Sequence, residues 1–319
     1  MCRSAKMSGV MSDNTLMQIF SSKTVCGVVA GGYGLLSRSR FPDVVRVETT
    51  NACNARCTIC PHRTMRRPIC TMEESTFRRI IDECAAHRCR EVHLHNFGEP
   101  LLDKNLERRI RYAKQAGIEK VKIFSNGALL TAERARGLIE AGLDEIKISM
   151  DGATREEFER IREPLKYDVV VDNIRRLVAY RNEAGSRMRI KFACVSTSDK
   201  EATIQSLEKI VDRFSFGKIH NWNGEDSGAL QAGIRKPCSR LWRTFTILAD
   251  GRVALCCLDY DGRIILGKID AEHSIRSIFN SPGYSRLRIL HRTARQDEIS
   301  LCRNCSKAFL SRGSGKRAA

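Results

Sequence analysis

Three cysteines within eight residues, Cys53, Cys57 and Cys60, follow directly on a strand-like run, Val44–Thr50. This spacing commits one loop at a strand end to metal chemistry, and the fold has to carry that loop. A tetrahedral zinc site or a fully ligated four-iron cluster takes four protein ligands. Three thiols in one tight loop suit instead a cubane cluster whose fourth iron stays open to a small molecule. The competing reading of the same loop is a partial zinc knuckle or three unrelated cysteines.

Composition narrows the class. With 319 residues, 42% of them hydrophobic, the chain has material for one large domain, or one large and one small. No apolar run approaches a membrane span; the best, Val25–Leu36, is short and holds four glycines. The N-terminus shows no convincing cleavable signal, so a cytoplasmic location is expected. The chain has 14 cysteines, and their x3, x2 and x2 spacings favour metal thiolates over disulfides. The formal net charge of +18 would suit nucleic acid or an acidic headgroup. Arginine is scattered rather than packed into runs, however, and no nucleic-acid-binding motif accompanies it. Nucleic acid is therefore not an expected partner.

From Val44 onward strand-like and helical runs alternate. Strands are expected at Val44–Thr50, Glu91–Asn96, Lys120–Ser125, Glu145–Met150, Met188–Val195 and Lys218–Trp222. Thr71 with Glu74 fits a capping box before the apolar stripe Phe77, Ile80, Ile81 and Cys84. Thr131 is placed to cap a later helix. Six strands interleaved with helices imply an α/β fold on a parallel sheet, with function at the carboxyl ends of the strands.

Chemistry-bearing residues collect at those ends. Cys53 follows the first strand, Asn96-Phe97-Gly98-Glu99-Pro100 the second, Ser125-Asn126-Gly127 the third and Ser149-Met150-Asp151-Gly152 the fourth. The C-x3-C-x2-C spacing resembles the signature of the radical S-adenosylmethionine enzymes, and the later segments resemble that family's cofactor contacts in the same order. The resemblance implies a partial (β/α)6 TIM-like barrel. It also implies a 4Fe-4S cluster on Cys53, Cys57 and Cys60 whose open iron chelates S-adenosylmethionine and cleaves it to a 5′-deoxyadenosyl radical. Gly98 and Glu99 then correspond to the contact for the cofactor's amino group; Ser125, Asn126, Ser149 and Asp151 correspond to its ribose and carboxylate contacts. Two departures are visible. Ile59 stands where the family often has an aromatic residue, and Ile190–Ser198 has no clear glycine-rich fifth-strand motif.

The C-terminal third holds a second constellation, Cys238, Cys256, Cys302 and Cys305. The run Phe245–Cys256 reads as a β-hairpin turning at Asp250-Gly251. Four thiolates so arranged complete a cluster or a zinc site, with Cys257 adjacent as an alternative to Cys256. The pattern resembles the SPASM auxiliary-cluster module in its shortened, twitch form, which implies one auxiliary 4Fe-4S cluster in a small β-hairpin/helix domain. The resulting division is an extension at 1–42, a barrel at 43–232, the auxiliary-cluster domain at 233–310 and a basic tail at 311–319.

Alternation separates the two faces of the strands. Val45, Val47, Val92, Leu94, Val121, Ile123, Ile146, Ile148, Ile190 and Phe192 take the helix-facing phase. The opposite phase carries Arg46, Glu48, His93, His95, Lys122, Lys147, Arg189, Lys191 and His220. It predicts either a basic lumen for a hydroxylated or acidic substrate, with Lys147 and Lys191 binding it, or lysines in solvent at the amino-terminal mouth. Cys194 reads as a core thiol; Cys2, Cys26, Cys70, Cys84 and Cys89 show no ligand spacing. No residue stands out as the proton acceptor a dehydrogenation requires.

The expectation is an oxidoreductase-type radical enzyme acting on a carbohydrate-like or aminocyclitol small molecule, by dehydrogenation or epimerisation. The resemblance also implies an electron donor such as flavodoxin or ferredoxin. Peptide or protein side-chain maturation is the runner-up; the segment before Val44 looks short for a leader-binding domain. A zinc-stabilised RNA-binding protein is the alternative from outside enzymology.

Overall fold

The computed structural model describes residues 22–36, 41–207, 210–222 and 233–309. Within the expected extension, Ser22–Leu36 is a helix whose Cys26 and Ala30 are buried. Cys2 and the expected tail at 311–319 lie outside the described residues. Among the described residues no helix is long and apolar enough to cross a membrane.

Six strands build the barrel wall: β1 Val44–Val47, β2 Glu91–His93, β3 Lys120–Ser125, β4 Glu145–Ser149, β5 Arg189–Cys194 and β6 Arg213–Phe216. Three more follow: β7 Thr244–Ile247, β8 Arg252–Ala254 and β9 Ile265–Lys268. All nine form one sheet in the order β6-β5-β4-β3-β2-β1-β7-β8-β9. Strands β1 to β6 pair in parallel, as helical crossovers require, and β7 also lies parallel to β1. The hairpin β7–β8 turns at Gly251, with φ +83°, so the C-terminal module continues the barrel sheet.

The helix-facing phase is buried as expected, from Val45 and Val47 to Ile190 and Phe192. Cys194 is likewise buried. Two expected elements differ. The sixth strand lies at Arg213–Phe216, where Phe214 pairs with Phe192 in register and packs edge-on to it at 5.7 Å. Lys218–Trp222 instead runs on from the strand and brings Ile219, His220 and Trp222 to the barrel mouth. Thr71 caps nothing: the helix begins at Glu74, while Thr71 bridges to Thr50 and donates its hydroxyl to the Thr50 hydroxyl. Thr131 does cap its helix, accepting from the Arg134 N–H.

Glu48 locks the top of β1. Its wholly buried carboxylate receives Arg67 through two N–H bonds of 2.8 and 2.9 Å, the Phe97 N–H at 3.1 Å and the Ala249 N–H at 3.0 Å. One acid thereby joins the cysteine loop, the segment after β2 and the hairpin strand. At the other end of the lumen, Glu91 binds Lys122 at 2.5 Å and Glu145 binds Lys191 at 2.8 Å. Lys147 bonds the Ser215 hydroxyl at 3.0 Å and lies over the Phe124 ring. These lysines are occupied with neighbouring strands and do not border the cavity described next, which counts against the first of the two readings of Lys147 and Lys191, substrate binding.

Candidate active site and cluster pockets

A cavity of about 480 Å³ opens at the carboxyl ends of the strands. Cys53, Cys57 and Cys60 border it, as do Gly98, Glu99, Ser125, Asn126 and Ser149. The loop is tight, with the Cys60 N–H donating to the Cys57 carbonyl at 3.1 Å. Gly98 is required where the segment after β2 crosses it. Its φ is +92°, and a Cβ would stand 2.7 Å from the carbonyl oxygens of Thr50 and Ala52. The Glu99 carboxylate, also buried, accepts from the Leu101 N–H at 3.1 Å, the Ser125 hydroxyl at 2.8 Å and the Asn126 N–H at 2.7 Å. One side chain thus ties the ends of β2 and β3 together. Asn126 reaches back to the cysteine loop through the Asn54 side chain at 2.8 Å.

Asp151 is different. It is wholly buried and does not border the cavity. One of its oxygens accepts from the N–H groups of Val195 and Ser196, at 2.6 and 2.9 Å. The other receives Arg162 through Nε, at 2.8 Å, and Nη2. Arg162 in turn points Nη1 at Cys57 Sγ, 3.8 Å away. Sequence reasoning missed this arginine, although a buried carboxylate at 151 already called for a cation.

The three thiols suit a cationic centre. Burial, then Glu99 and the two other thiols, push Cys53 up to about 12; burial pushes Cys60 up to about 11 and Cys57 upward as well. Left to themselves they stay protonated at neutral pH, and a bound metal centre reverses that balance. Ile59 lines the cavity without an aromatic ring, but Trp222 lies beside it and donates its indole N–H to the Ile59 carbonyl at 3.1 Å.

A second, smaller pocket is bordered by Cys238, Cys256, Cys302 and Cys305. Burial raises Cys256, Cys302 and Cys305, and neighbouring thiols add to each. Cys257 does not share this pocket; it borders the larger cavity instead. Arg240 borders both. Among the described residues no three His, Cys, Asp or Glu side chains converge on a single metal ion.

Comparison with known proteins agrees. The Radical SAM superfamily model matches residues 47–216, and the SPASM iron-sulfur cluster-binding domain model matches residues 238–306. The chain is 35% identical over 144 residues to a GTP 3′,8-cyclase of Chlorobaculum tepidum, covering 44% of this chain and 42% of that protein. Against three such cyclases it spans 42, 52 and 41% of their length. It is 19% identical to the S-adenosyl-L-methionine-dependent 2-deoxy-scyllo-inosamine dehydrogenase of Niallia circulans, over 82% of this chain and 92% of that one. The crystal structure of BtrN in complex with AdoMet and 2-DOIA superposes with a TM-score of 0.60 at 18% identity, covering 83% of this chain and 92% of that one.

Proposed function

Because the chain belongs to the radical SAM superfamily, we propose that it dehydrogenates or epimerises a polyhydroxylated small molecule, carbohydrate-like or aminocyclitol in character. Its cofactors are S-adenosylmethionine with the 4Fe-4S cluster that binds it, and an auxiliary iron–sulfur cluster. When bound, they supply a carbon-centred radical that removes a hydrogen atom from substrate, and a one-electron redox partner.

The observation that carries this reading is the single cavity shared by the three-cysteine loop and the polar strand ends. Its volume falls within the range of roughly 300–1,000 Å³ usual for small-molecule sites. Cys53, Cys57 and Cys60 are assigned to the first cluster, and Cys238, Cys256, Cys302 and Cys305 to the second. Glu99 is assigned to the cofactor's amino group: burial raises its carboxyl, and N–H donors of that group would offset the cost of burial. Ser125, Asn126 and Ser149 offer hydroxyl and amide groups along the same wall. Asp151 acts through Arg162, holding that cation against Cys57. Trp222 and Phe97, with ring centroids 5.8 Å apart, give the cavity an aromatic wall.

The test is substrate-dependent turnover by reduced, reconstituted protein. Polyhydroxylated compounds, including 2-deoxy-scyllo-inosamine, are offered in parallel with GTP and with peptides. The reading requires that a polyhydroxylated compound raise 5′-deoxyadenosine above its uncoupled level and emerge oxidised or epimerised. Stimulation by GTP or peptide alone overturns it.

A further inference from the structure

We infer that the substrate carries an anionic group, phosphate or carboxylate, received by the Arg46 and Arg240 guanidinium groups where the active cavity meets the auxiliary pocket. This rests on the reading above and narrows its substrate class.

Four lumen cations have carboxylate partners, Lys147 bonds the Ser215 hydroxyl instead, and Arg46 and Arg240 at the cavity have neither among the described residues. Arg67 has Glu48, Arg162 has Asp151, Lys122 has Glu91 and Lys191 has Glu145. Arg46, on the lumen face of β1, has no carboxylate partner among the described residues, and its Nε is buried without any hydrogen-bond partner. Arg240 likewise meets no acid among the described residues; its surroundings are the thiols Cys257, Cys238, Cys256 and Cys305. Arg46 does not border that pocket, and the thiol that it faces is Cys257, on the wall of the active cavity.

Of the rest of the wall, the Cys257 thiol faces both arginines, but no carboxylate among the described residues does. Among the described residues the only carboxylate bordering the cavity is Glu99, whose oxygens are engaged with Leu101, Ser125 and Asn126. His95 and His220, which border the same space, cannot carry negative charge. Both arginines are partly buried on the cavity wall, and an incoming anion would supply the carboxylate or phosphate oxygens that neither has. Guanidinium groups present planar N–H forks that match the oxygens of phosphate and carboxylate. A free aminocyclitol, cationic at neutral pH, would meet two like charges. An acidic or phosphorylated sugar meets two opposite ones.

The experiment is anaerobic calorimetry on reconstituted protein with S-adenosylmethionine present. Glucose 6-phosphate and glucuronate are the charged probes; glucose and 2-deoxy-scyllo-inosamine are the uncharged and cationic ones. At least one charged probe binds wild type and the others do not, and the charged group that binds separates phosphate from carboxylate. Arg46→Gln weakens that binding by about tenfold or more, as loss of a hydrogen bond to a charged group does. Arg240→Lys keeps the charge but not the fork and weakens it less. Iron content, measured in each variant, shows that the clusters are intact. Failure of both charged probes on wild type, or equal binding by Arg46→Gln, overturns the inference. Uncoupled formation of 5′-deoxyadenosine by wild type is measured alongside: if it persists, only the anion assignment falls; if it is absent, the radical reading falls too.

Discussion

Arg162 stands between Asp151 and Cys57: Nε and Nη2 donate to the Asp151 carboxylate while Nη1 lies 3.8 Å from the Cys57 sulfur. Arg162→Gln leaves Asp151 buried without its cation, a loss of about 3–5 kcal/mol. It also removes a positive charge beside a cluster ligand, so the first cluster becomes harder to reduce. Urea unfolding of the metal-free protein and a potentiometric titration of the reconstituted one check the two halves separately. Unchanged values in both would remove Arg162 from the site.

Gly98 and Glu99 fail in different ways when replaced. Gly98→Ala forces a Cβ onto the Thr50 and Ala52 carbonyls at a φ that L-residues avoid at a cost of about 1–2 kcal/mol before any clash. The cysteine loop shifts, and the variant is expected to retain little of the first cluster's iron. Glu99→Gln keeps the shape but sets an NH₂ against donors, costing about 1–3 kcal/mol. It should hold its iron and bind S-adenosylmethionine more weakly, which calorimetry reads directly.

Adjacent cysteines are expected to behave oppositely. Cys256 borders the pocket of Cys238, Cys302 and Cys305, whereas Cys257 borders the active cavity. Wild type binds about eight irons, two cubanes of four. Cys256→Ala falls toward about four, and Cys257→Ala stays near the wild-type value. Iron analysis after anaerobic reconstitution gives the answer, and the reverse pattern would exchange the two assignments.

The pH response of the auxiliary pocket runs through His291. Its buried Nδ1 accepts the Cys238 N–H at 3.2 Å, and burial together with Arg235 pushes its pKa down to about 4. Because the folded value lies below the ordinary one of about 6.5, the stabilisation is present above that pH and is lost as pH falls through 4. The loss amounts to about 3 kcal/mol. Denaturation midpoints of wild type and His291→Gln should therefore differ at pH 7 and converge toward pH 4. A difference that stays constant with pH contradicts the assignment.

Much of this was legible in the residues. The alternation of Val121 and Ile123 with Lys120 and Lys122 placed β3 at its observed bounds, Lys120–Ser125. The Asp250-Gly251 turn marked the hairpin. The order of strand-end segments brought Cys53, Glu99, Ser125 and Ser149 to one cavity. What was missed depends on pairing between distant segments. The edge strand β6 is only half buried, so its pattern is weak, and its place is set by Phe214 against Phe192. Lys122 and Lys191 looked free because Glu91 and Glu145, their partners, lie on neighbouring strands. Asp151 looked like a cofactor contact until Arg162 closed on it. The spacing from Gly251 favoured Cys256 over the adjacent Cys257, and the chain's path after β8 sends the two to different cavities.

The central claim is that Cys53, Cys57 and Cys60 hold a cluster at which S-adenosylmethionine is cleaved. Its most direct test is 5′-deoxyadenosine formed by reconstituted, chemically reduced protein, compared with the Cys53→Ala, Cys57→Ala and Cys60→Ala variants. The product should appear with wild type and vanish in all three variants while the auxiliary iron remains. No product from fully iron-loaded wild type, or equal product from the variants, would contradict it.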